Sequence, residues 1–110
     1  MTRTVAATMV AVALFSAASC ALAQGYPTRA VRLVVPFAPG GNVDINARIL
    51  SPGLGQALGQ SFVVENRPGA GGTIATDAVA KSPPDGYTLL VASSSIMTNG
   101  PAVYPKLPYD

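Results

Sequence analysis

The chain has 110 residues, with seven Lys and Arg against five Asp and Glu, one Cys, and neither His nor Trp. A net charge of +2 provides no basic stripe for nucleic acid, and the lack of His with a single Cys excludes a His/Cys metal centre, a His-based triad and an internal disulfide. The length admits one small domain, and all 11 Gly and all 10 Pro fall after residue 24.

The first 23 residues read as an address. Arg3 supplies one positive charge, Val5 to Phe15 is an uncharged, mostly apolar run, and Ala21-Leu22-Ala23 places small residues at −3 and −1 before Gln24. This layout predicts a secretory signal peptide, residues 1–23, cleaved after Ala23. The apolar run is well short of the ~20 residues a spanning helix needs, so no membrane insertion is expected after cleavage. Cys20 offers lipid attachment as an alternative, but Ala17 stands where a lipoprotein site wants Leu. If Cys20 leaves with the signal, the exported chain has no Cys and is indifferent to the redox state of its compartment.

Ala30 to Val35 then reads as a strand, β-branched and stopped by Pro36. Pro39-Gly40-Gly41-Asn42 is a tight glycine-rich turn. Positions 43, 47, 50, 54 and 58 are apolar at helical spacing, and Asn42 or Asp44 can cap the first turn of that helix. Pro52-Gly53 predicts a kink or a break within it. Ser61 to Glu65 is a second strand, Asn66 to Gly72 a second glycine-rich turn and Thr73 to Lys81 a second helix. Ser82-Pro-Pro-Asp-Gly86 is a loop, Tyr87 to Ala92 a third strand, and Ser93 to Ser95 opens a third turn. The order β-α-β-α-β, with continuous apolar strands, predicts an α/β fold with a parallel sheet covered on both faces.

Ligands of open parallel sheets collect beyond the carboxyl ends of the strands. The turns at 39–42, 69–72 and 93–95 all fall there, and two lead into helices whose unpaired amides favour an anion such as a carboxylate. Glycines at 40, 41, 71 and 72 allow close backbone approach. Gly69-Ala-Gly71-Gly-Thr-Ile74 imitates a dinucleotide fingerprint but has Ile74 at the third glycine position and no acidic residue about 20 positions on. Asp44 and the serines 93–95 lack a basic partner for acyl transfer, so Asp44 reads as a cap, Ser94 as a hydrogen-bond donor, and no enzyme is expected. Arg29 and Arg32 are expected to face solvent; Arg67 has Glu65 as a local ion-pair partner or supports the second turn.

Val35-Pro-Phe-Ala-Pro-Gly-Gly-Asn-Val-Asp44, Ala47-Arg48, Leu58 to Gly72 with its Val-Glu-Asn-Arg-Pro-Gly-Ala-Gly-Gly run, Val79 to Leu90 and Leu107-Pro-Tyr-Asp110 together resemble the Bug-type extracytoplasmic solute receptors, the substrate-binding proteins of tripartite tricarboxylate transporters. Departures are Pro52-Gly53, where the family usually carries an uninterrupted helix, and Gly100 between Asn99 and Pro101. The resemblance implies a periplasmic, two-lobed binding protein of type II topology that closes on an organic or amino acid. Residues 24–110 would then be the N-terminal part of the first lobe, with the second lobe absent from this stretch. It implies ligand contacts at Pro39, Gly40, Gly41, Asn42, Asp44, Ala70, Gly71, Ser93, Ser94 and Asn99, the first turn acting largely through ordered water. No cofactor, metal or nucleic acid is expected; the partners implied are a small carboxylate and membrane transporter subunits. A receptor reporting to a membrane sensor, or a truncated remnant, are the alternatives.

Overall fold

The computed structural model describes residues 25–109; the expected signal peptide and its cleavage site lie outside the described residues. Three strands, β1 (Val31–Val35), β2 (Phe62–Asn66) and β3 (Thr88–Leu90), form a parallel sheet in the order β2-β1-β3. Val31 sits beside Phe62 and Val35 beside Asn66, while Arg32 sits beside Thr88. Helix α1 (Asn42–Leu58) joins β1 to β2, and α2 (Thr73–Ala80) joins β2 to β3. A π-type turn, Ser95–Asn99, then leads into the short helix α3 (Gly100–Val103). The expected β-α-β-α-β order and parallel sheet are both found.

The central strand carries the core. Val31, Val34 and Val35 are buried almost completely and Leu33 nearly so. Side chains alternate along a strand, so Asn66, level with Val35, points to the α1 side, and Leu90, level with Val34, points to the α2 side. β1 therefore buries apolar side chains on both faces, Val31, Leu33 and Val35 on one and Val34 on the other, with only Arg32 exposed. Ala47 from α1 and Ala75 from α2 close over it, both at most 1 % exposed. Such small residues let the helices approach the sheet closely.

Two features of α1 depart from expectation. The helix runs through Pro52 without breaking, although proline removes one amide donor from the ladder. At that turn the Ser51 hydroxyl donates to the Ala47 carbonyl at 2.7 Å. The apolar stripe also does not all face inward: Leu50 and Leu58 are exposed, as are Ile45 and Ile49. The buried positions are Asp44 and Ala47, so a charged residue takes a place that the 3.6-residue period reserves for the core. Among the described residues no helix is long and apolar enough to cross a membrane.

Candidate ligand-binding site

Parallel strands bring the three turns to one edge of the sheet. In the first, Gly40 takes φ of 87°, a conformation open to glycine at little cost, and the chain reverses there. Gly41 then starts α1 with ordinary extended backbone, φ −74° and ψ 166°, and no side chain caps the helix there. The amides at the start of a helix have no intrahelical partner, so this end offers donors and a partial positive charge. A Cβ added at Gly41 would meet nothing closer than the Ala38 carbonyl at 3.4 Å, so Gly40 rather than Gly41 carries the conformational demand.

Behind this turn lies a network of three side chains. Asp44 is 2 % exposed. Its Oδ2 accepts from the Gly40 amide and from Arg48 Nε, each at 2.9 Å, and its Oδ1 accepts from Asn66 Nδ2 at 2.9 Å. Asn66 Nδ2 also donates to the Phe37 carbonyl at 3.1 Å, while Asn66 Oδ1 accepts from Arg48 Nη2 at 3.1 Å. Arg48, then the Gly40 amide and Asn66, hold the Asp44 carboxyl down to about 2, against an opposing effect of burial. The Asp44 carboxylate turns inward and binds the Gly40 amide, one residue before the helix cap. Asn42, the other expected cap, accepts from Asn46 Nδ2 at 2.8 Å. Arg48 and Asn66 stand in the motifs that carry the resemblance, but neither is given a role from the sequence. The Asp44 to Arg48 spacing, one helical turn, was the available signal; for Asn66 there was none, because its partners are distant in the chain.

The second turn holds four consecutive residues at positive φ, Gly69 (136°), Ala70 (47°), Gly71 (63°) and Gly72 (94°). The Ala70 carbonyl accepts from the Thr73 hydroxyl at 2.8 Å, at the start of α2. In the third turn Ser93 Oγ and Ser95 Oγ are 2.7 Å apart, and the Ser93 carbonyl accepts from the Ile96 amide at 3.1 Å. Ser94 is exposed beside them.

These turns frame separate depressions. An open groove of about 630 Å³ is lined by Phe37 to Val43 and Ser93. Pro39, Gly40, Gly41, Asn42 and Ser93 thus lie together at this groove. Gly71 and Asn99 line a smaller pocket of about 130 Å³ with Thr73, Ser95 and Tyr104, and Ala70 is exposed at the turn preceding it. A third cavity, about 470 Å³ and lined mostly by apolar residues such as Val79, Leu90 and Ile96, holds none of the expected site residues.

Among the described residues no Lys or Arg lines the groove. Arg29 binds Asp85 at 3.0 Å and stacks 4.1 Å above Tyr87. Arg32 Nε and Arg67 Nε bind the two oxygens of Glu65, at 2.9 and 2.6 Å; Arg32 first, then Arg67, hold that carboxyl below its ordinary value. Of the two roles open to Arg67, the ion pair with Glu65 is present. The groove can therefore attract an anion through backbone amides and hydroxyls, and through no full positive charge of its own.

Residues 46–110 match the family described as "Tripartite tricarboxylate transporter family receptor". The chain belongs to that family. It is similar to the protein BugT of Bordetella pertussis, 47 % identical over 110 residues, which cover 99 % of this chain and 34 % of BugT. Among solved structures, an R. palustris protein with adipate has a TM-score of 0.73 at 46 % identity, covering 77 % of this chain and 28 % of that one. MatC from Rhodopseudomonas palustris, with bound malate, has a TM-score of 0.65 at 40 % identity, covering 76 % and 29 %. The chain spans about a quarter to a third of the length of the relatives it matches.

Proposed function

We propose that residues 24–110 form the N-terminal part of the first lobe of an exported, two-lobed solute receptor. It binds a small carboxylate in the groove between the 37–43 turn and Ser93, in the periplasm, and serves a transporter of the tripartite tricarboxylate type. It works by binding rather than catalysis. The observation that carries this reading is the groove itself: the uncapped start of a 17-residue helix opens into it at the carboxyl edge of a parallel sheet. Adipate and malate in two relatives support the ligand class. With every nearby guanidinium committed to a protein carboxylate, the anion would be held by amides, the Ser93 hydroxyl and bridging water, which costs little relative to direct contact. Gly71 and Asn99 belong to the neighbouring pocket and would meet the ligand only if it extends that far.

A thermal-shift series on the chain tests the ligand class, because a molecule that binds only the folded state stabilises it by mass action, about 2.7 kcal/mol at 100 times its Kd. Malate, adipate or citrate should raise the melting temperature while glucose and ATP leave it unchanged. Protection by sugar or nucleotide alone would overturn the carboxylate reading.

A further inference from the structure

The turn that lines the groove is shaped mainly from behind. Its own backbone bond, from the Gly41 amide to the Ala38 carbonyl, is 3.4 Å, at the long limit for such a bond. Asn66, at the end of β2, reaches both limbs of the turn. One Nδ2 proton goes to the Phe37 carbonyl and the other to Asp44 Oδ1, whose second oxygen holds the Gly40 amide. Arg48 Nη2 fills the remaining oxygen of Asn66.

We infer that Asn66 is a positioning residue for carboxylate binding, clamping the 36–41 turn directly at Phe37 and through Asp44 at Gly40 so that the α1 amides face the groove. The inference rests on the groove being the anion site proposed above. None of Asn66, Asp44 and Arg48 lines that groove, so they act on ligand only through the turn. The carboxamide is the side chain that fits this place. Both of its protons and its oxygen are engaged. Its reverse orientation would set oxygen against a carbonyl and a carboxylate, so the chemistry of the partners fixes the orientation. Aspartate there would place acceptor against acceptor. A site ordered before binding spends less of its interaction energy on ordering, and the effect of Asn66 belongs in affinity.

The test uses the ¹⁵N-labelled chain with adipate and malate as probes, following amide shifts in the groove and amide hydrogen exchange together. Asn66→Ala and Asn66→Asp should bind about tenfold more weakly and exchange the Gly40 amide about tenfold faster, while the β1 amides keep their protection. A merely structural residue would instead lower protection evenly across β1. Arg48→Met removes an exposed guanidinium from the same network and should lose about threefold in affinity; it decides the matter if the Asn66 variants do not fold. Folded variants that bind like wild type, with wild type responsive, overturn the inference alone. Wild type unresponsive to both probes overturns the groove reading and this inference with it.

Discussion

A Cβ placed on Gly72 would lie 2.5 Å from Cδ1 of Ile96. The same atom would stand 3.2 Å from Pro36 Cβ, so this one glycine lets the second turn nest between the first and the third. With φ of 94° it is also in backbone territory where a side chain costs about 1–2 kcal/mol. Overpacking of a buried position costs roughly 1–3 kcal/mol. Gly72→Ala should therefore lose on the order of 2–5 kcal/mol. Gly53, inside α1 with open space around its Cα, should respond in the opposite direction, gaining about 0.5–1 kcal/mol as alanine. Urea melts followed by circular dichroism read both; equal effects would contradict the nesting of the three turns.

How far the sequence disclosed this arrangement depended on the range of the forces involved. The β-branched run at Val31–Val35 and the proline after it are local signals, and the strand is where they point. The Gly40-Gly41 turn was legible for the same reason. The burial of Asp44 was not legible, because its partner Asn66 lies 22 residues away and no periodicity encodes a buried carboxylate with a remote amide partner. At Pro52 the break that the sequence allowed does not occur. A proline opposes helix locally, but packing of Ala47 and neighbours on the sheet carries α1 through it. The division of the expected site into two depressions was also invisible, since each is lined by residues far apart in the chain.

The depressed Asp44 carboxyl predicts a pH signature. An aspartate in the unfolded chain titrates near ~3.9, above the folded value of about 2. Its contribution to stability is thus complete above about pH 5 and is lost as the pH falls from about 4 toward 2. Asp44→Asn should be less stable than wild type at neutral pH, and the gap should narrow across that acidic window. Thermal melts of both proteins from pH 7 to pH 2 provide the comparison. A gap independent of pH would mean that the Asp44 charge plays no part in holding the turn.

Export predicts a defined chain start. The processed product should begin at Gln24, with or without cyclisation to pyroglutamate, and carry no cysteine. Mass analysis of the N-terminal peptide from a periplasmic fraction reads this directly. Retention of Met1, or acylation at Cys20, would contradict the exported, unanchored form.

The central claim is that the start of α1 receives a carboxylate at the carboxyl edge of the sheet. Titrating the ¹⁵N-labelled chain with malate or adipate tests it most directly. The account predicts saturable shifts of the Gly41, Asn42, Val43 and Ser93 amides, unaltered in Arg29→Ala, whose guanidinium is occupied by Asp85 and Tyr87 at the other end of β1. Shifts confined to residues around Gly71 and Asn99, or loss of the response in Arg29→Ala, would contradict it.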